Sequence, residues 1–101
     1  MASEDATDVA KTFDAGLAVI EALAYPMYKE MGLNELSDAL SMSPQKTLRL
    51  LETAQRRQWV EQMDDKRWRP APKLTQLGDC FIRYAEEKKR DLERLIIEHK
   101  S

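Results

Sequence analysis

Lys46, Arg49, Arg56, Arg57, Lys66, Arg67, Arg69 and Lys73 crowd one stretch of this chain, against only Glu52, Glu61, Asp64 and Asp65. Such side chains donate charge-assisted hydrogen bonds to phosphate oxygens, and an arginine can also span guanine O6 and N7 with two bonds. Other chemistry has few candidates. Cys80 is the only cysteine and His99 the only histidine. A zinc site would need carboxylates for most of its ligands, and a Cys/His pair would have to join Cys80 to a residue near the C-terminus. Gly16, Gly32 and Gly78 are too scattered for a phosphate-cradling loop. There is no triad, and 101 residues leave little room for a closed pocket. No enzyme activity, cofactor or metal is expected, which leaves recognition.

The net charge of -2 speaks against nucleic acid only as an average. From Met1 to Pro44 the acids Glu4, Asp5, Asp8, Asp14, Glu21, Glu30, Glu35 and Asp38 face only Lys11 and Lys29, and from Gln45 to Lys73 the balance reverses. Attraction to phosphates depends on local charge more than on the total.

Leu33 to Leu51 must position these groups. Leu33, Leu36 and Leu40 have helical spacing, and Thr47, Leu50, Leu51 and Ala54 fall at i, i+3, i+4 and i+7 of a second helix. Ser41-Met42-Ser43 breaks the two apart. Ser43 can accept a bond from the free N–H groups of the second helix, and Pro44 suits its first position because it has no N–H to leave unpaired. Two helices joined so closely outline a helix-turn-helix, with 44–57 as the helix that enters the major groove.

The remaining chain divides around that pair. Residues 1–8 are small, polar and acidic and read as a mobile tail. A helix is expected from Val9 to Ala24, with Phe13, Leu17, Ile20, Leu23 and Ala24 on one face, stopped by Pro26. Met31-Gly32-Leu33 suggests a very short strand, and Asn34 a cap for the next helix. Residues 59–70 read as a hairpin: Trp59 to Met63 alternates, Asp64-Asp65-Lys66 turns, and Arg67-Trp68-Arg69 returns until Pro70. That hairpin would be a wing, with Lys66, Arg67 and Arg69 at its tip and Val60 and Trp68 toward the core. Core packing or stacking on bases are both open to the tryptophans.

Residues 73–101 read as a long helix. Leu77, Phe81, Tyr84, Lys88, Leu92, Leu95 and His99 step by threes and fours, an approximate heptad seam that Lys88 interrupts. Its far end should outreach a small domain. Phe81, Tyr84, Leu92, Leu95 and Ile96 then need a partner, either a second copy of the chain or the protein's own first helix. The run from Glu86 to Asp91 reads as a solvated face. The expected fold is mainly α with a small β wing: a winged helix-turn-helix over 9–72, then the long helix. With no apolar run of about 18 residues and no basic-then-apolar leader, a cytoplasmic protein with no membrane association is expected.

Three stretches resemble the N-terminal winged helix-turn-helix domain of IclR-type bacterial transcription regulators. They are Ala15 to Leu23 (AGLAVIEAL), Leu36 to Leu40 (LSDAL) with Arg49-Leu50-Leu51, and Arg69 to Gly78 (RPAPKLTQLG). The last is the most telling, because an arginine ending the wing, then proline, a basic residue and Leu-x-x-Leu-Gly is an uncommon order. The resemblance runs from about Val9 to Tyr84. It implies a three-helix winged domain, dimeric binding to an operator with two related half-sites, and transcriptional control. The family usually has Gly in the turn where this chain has Ser41. It also continues into a large domain that binds a small-molecule effector, and effector sensing is not expected of a chain read to Ser101. That leaves a piece of a longer regulator or a free-standing relative.

On the DNA reading, Gln45, Lys46, Leu48 and Arg49 are the base-contacting set. Gln45 suits adenine, Arg49 guanine, and Lys46 guanine or phosphate; Leu48 meets a thymine methyl or packs beside the turn. Ser43, Arg56, Arg57, Lys66, Arg67, Arg69 and Lys73 fall to phosphates, or to a narrow minor groove for the wing arginines. For Lys46 and Arg49 the plain alternative is helix solubility. The rival function is a winged-helix interaction or assembly module, such as a DNA-packaging or scaffold subunit, oligomerising through its last helix. The basic half of the chain favours DNA over that rival.

Overall fold

A computed structural model describes residues 2–100, with side chains from Asp8 to Lys100. The order is α1 (Ala2–Ala24), α2 (Leu33–Leu40), α3 (Pro44–Arg56), β1 (Val60–Gln62), β2 (Trp68–Pro70) and α4 (Pro72–Lys100). The protein is thus mainly helical, with a two-stranded antiparallel sheet and a long C-terminal helix.

The segment read as a mobile tail is helical from Ala2 onward, while Met1 lies outside the described residues. Alanine at positions 2 and 6 favours helix by residue type. The buried face of α1 also differs from expectation. Val19 and Leu23 are fully buried and Ile20 and Ala22 pack beside them, whereas Phe13 is 67% exposed. The first half of α1 lies outside the core formed by its second half with α2 and α3, so Phe13 has little to cover it.

The cap of α2 is Gly32, one residue before Leu33; its N–H donates to Glu35 Oε1 at 3.3 Å, and Asn34 sits inside the first turn. Met31 forms only an isolated antiparallel bridge to Trp68: each donates its N–H to the other's carbonyl, at 2.9 and 2.7 Å. That bridge ties the chain entering α2 to the hairpin. At the other end of α2, Ser41 takes the left-handed conformation (φ 53, ψ 43), and the Ser41 and Met42 N–H groups satisfy the Asp38 and Ser37 carbonyls.

Ser43 caps α3 as its sequence suggests. Its Oγ accepts from the Lys46 N–H at 3.2 Å, and Pro44 occupies the first turn. Thr47 and Leu51 are buried, and Leu48, Leu50 and Ala54 pack around them. The buried hydroxyls of Ser37 and Thr47 donate back to the Leu33 and Ser43 carbonyls at 2.8 and 2.9 Å, so neither is an unmet polar group in the core. In the hairpin, Val60 pairs with Pro70, Glu61 with Arg69 and Gln62 with Trp68. Val60 and Trp68 close the core, which leaves Trp68, 2% exposed, unable to stack on an outside ring.

Positive φ falls on Ser41, Gln58 and Lys66 and on no glycine. The left-handed region brings Cβ too close to the carbonyl, so these turns carry a small strain. Ser41→Gly and Gln58→Gly should each raise stability by about 0.5–1 kcal/mol in urea unfolding. A fall in stability for both would show that the side chains make compensating contacts.

Candidate functional site

The outer face of α3 follows from its buried one. With Thr47 and Leu51 turned inward, Gln45, Lys46, Arg49 and Glu52 are exposed, followed by Thr53 and Arg56 one to two turns on. Among the described residues, no hydrogen bond or ion pair engages the side-chain head groups of Gln45, Lys46 or Arg49. Thr53 donates to the Arg49 carbonyl at 2.9 Å, and Arg56 Nη2 donates to Thr53 Oγ1 at 3.2 Å, which fixes Arg56 along the helix. Leu48 is half-buried against the core, on the packing side of the two roles expected of it.

The remaining basic residues split into two groups. Lys73 Nζ donates to the Arg57 carbonyl at 3.1 Å, so it caps the C-terminal end of α3, where a cation also meets the negative end of the macrodipole. Arg57 itself is the C-cap residue. The hairpin arginines are engaged by acids. Arg67 Nε bonds Asp65 Oδ2 at 2.8 Å and its Nη2 reaches Glu30 Oε2 at 3.1 Å, while Arg69 Nε bonds Glu61 Oε1 at 2.7 Å. Lys66 stands at the hairpin tip with φ 74, its N–H donating to the Met63 carbonyl at 2.9 Å.

Hydrogen bonds from the Arg67 N–H and guanidinium hold the Asp65 carboxyl below its ordinary value, and Asp65 in turn raises the Arg67 pKa. A lowered carboxyl pKa means that the pair helps the folded state above the ordinary carboxylate range and loses that help as pH falls through the lowered value. At neutral pH the pair is intact. A phosphate approaching Arg67 therefore competes with two carboxylates.

Sequence reasoning missed these acids. Two signals were available: Asp65 stands two residues from Arg67 across a turn, and hairpin register sets Glu61 opposite Arg69. It also missed an apolar groove of about 600 Å3 between α1 and α3, lined by Val9, Phe13, Leu17, Ile20, Leu50 and Trp59 among others. The signal there was the step Val9, Phe13, Leu17, which carries the apolar stripe of α1 beyond what a small core can cover.

The residues expected at the C-terminal seam all lie on α4, where Phe81, Tyr84, Leu92, Leu95 and Ile96 are 55–68% exposed. None of the α4 side chains is buried, so the protein's own first helix does not cover the stripe. Among the described residues there is no group of three or more side chains suited to hold a metal ion, and no helix is long and apolar enough to cross a membrane. Set against known proteins, the chain matches no family model, no curated protein and no solved structure.

Proposed function

We propose that the protein binds double-stranded DNA as a dimer: α2 and α3 act as a helix-turn-helix, the hairpin as its wing, and α4 as the dimerising helix. On this reading it is a small cytoplasmic transcription regulator of bacterial or phage type, related to the winged domains of IclR-type regulators. The observation that carries the proposal is the face of α3. A helix capped by Ser43 and anchored through Thr47 and Leu51 presents Gln45, Lys46 and Arg49 together to solvent, a set that can bond both base edges and phosphates. Arg56, Arg57 and Lys66 extend the positive charge along α3 and to the wing tip.

The test is fluorescence anisotropy on a random duplex at about 50 and 200 mM salt. A protein that neutralises several phosphates loses affinity steeply over that range. Absence of binding at low salt by a folded protein would overturn the proposal.

The engaged wing arginines yield a further expectation. Glu30→Gln combined with Asp65→Asn frees Arg67 and removes two negative charges beside it. Binding to any duplex should tighten by about two- to fivefold, the scale of an exposed ion pair. Unchanged affinity would take Arg67 out of the interface.

A second reading is favoured by the same ion pairs together with the apolar surfaces. Acids already neutralise Arg67 and Arg69, while the α1–α3 groove and the α4 stripe are both open, as an assembly or scaffold module requires. Salt-independent behaviour with random DNA would favour it.

A further inference from the structure

We infer that α4 pairs with α4 of a second copy in the antiparallel sense, with Lys88 of each helix seated against Ala85 of the other. This rests on the reading of α4 as the dimerising helix and adds its orientation and register. The helix has 29 residues, and most of its large apolar side chains gather toward one side, with Ile82 and Ile97 off it. Leu74, Leu77, Phe81, Ala85, Lys88, Leu92, Ile96 and His99 advance by threes and fours, which keeps them on one face over about 38 Å. Every residue from Thr75 to Lys100 is exposed.

The stripe is self-complementary when reversed. An antiparallel pair can set Phe81 against the partner's Leu92 and Leu77 against the partner's Ile96. The same register brings Lys88, the one charged residue of the stripe, against the partner's Ala85, its one small residue. The long side chain then has room, and its ammonium can run past Ala85 toward solvent. Lys88 Nζ already stands 5.7 Å from the centre of the Tyr84 ring, and the antiparallel register brings the partner's Tyr84 to the same neighbourhood. The parallel, in-register pair does the opposite: Lys88 faces the partner's Lys88 across an apolar seam, and Ala85 faces Ala85 and leaves a hole. Two-fold symmetry repeats each antiparallel contact. Phe81 and Tyr84 are 68% and 57% exposed, so each has somewhat over half of the about 150–250 Å2 of an aromatic side chain left to bury; with four aliphatic neighbours from each copy this brings the interface to the lower end of the about 1,200–2,000 Å2 of stable complexes.

The experiment uses the whole chain without DNA. Mass by light scattering is measured first, then spin-label distances with one label per copy at Cys80, at Gln76→Cys or at Glu87→Cys, the last two in a Cys80→Ser background. In the antiparallel register the axial separation of like labels is about 32 Å at position 76, about 20 Å at Cys80 and about 2 Å at position 87, at 1.5 Å per residue. The expected result is a dimer whose label distance shrinks steeply from 76 through 80 to 87. A dimer with one distance at all three positions is parallel and overturns the orientation while leaving the dimer. A monomer at tens of micromolar overturns the dimer reading itself. Phe81→Asp should abolish the dimer and leave the thermal unfolding of the core, followed by the fluorescence of Trp59 and Trp68, unchanged, because α4 contributes no buried side chain to that core. A Phe81→Asp protein that remains a dimer would place the interface elsewhere.

Discussion

Trp68→Ala should remove about 3–5 kcal/mol of stability, the usual cost of emptying a large aromatic site in a core. Domains of this size hold only about 5–15 kcal/mol in all, so the variant should unfold at much lower urea concentration. Its thermal midpoint should fall by at least about 12 °C, at about 4 °C or more per kcal/mol. The size of the effect has a structural cause. Trp68 is buried in the same cluster as Val19, Leu23, Leu36, Leu51 and Val60, so it ties the hairpin into the core that the three helices share. Its backbone also bridges Met31, so loosening the hairpin loosens the entry to α2 as well. Urea unfolding with an unchanged slope and a lowered midpoint would confirm a stability loss in a folded protein. A loss below about 1 kcal/mol would mean that the hairpin is held by something other than this side chain.

On the proposed DNA-binding reading, Arg49→Ala should have the largest effect on recognition. A well-formed bidentate contact to a base is worth about 1–3 kcal/mol of discrimination, or roughly 5- to 150-fold in affinity for the preferred sequence. Non-specific binding should fall far less, because only one positive charge is lost. Arg67→Ala provides the contrast. With Asp65 and Glu30 already bonded to it, Arg67 has less to give a phosphate, so its removal should lower the salt slope by less than the value of about 0.9 for a full contact. Anisotropy with a selected duplex and a scrambled one, across about 50–200 mM salt, reads both quantities. Equal losses on the two duplexes for Arg49→Ala would assign Arg49 to phosphates and move the reading of sequence to other residues.

Much of the secondary structure was written in local signals. Ser43-Pro44 and the spacing Thr47, Leu50, Leu51, Ala54 specify α3 because a capping hydroxyl, an N–H-free first residue and an apolar stripe all act within a few residues. The alternation around Val60 and Trp68 specified the hairpin in the same way. What escaped depended on geometry or on missing neighbours. Left-handed turns were invisible at Ser41, Gln58 and Lys66, since residue type advertises that conformation only when it is glycine or asparagine. The exposure of Phe13 reflects where α1 runs relative to the other helices, which periodicity does not encode. At the candidate site, residue type identified which side chains are basic, but not that Glu30, distant in sequence, reaches Arg67. Asn34 is the better capping residue by type, yet Gly32 occupies that position.

The absence of α4 from the core makes its length independent of folding. Seven residues added within its stripe would repeat the pattern and lengthen an antiparallel rod by about 10.5 Å, close to three base pairs at about 3.4 Å each. In such a pair α4 is a ruler. On the proposed DNA-binding reading, insertions and deletions there would retune the distance between the two recognition helices while each end folds as before, so the spacing of half-sites would change separately from their sequence.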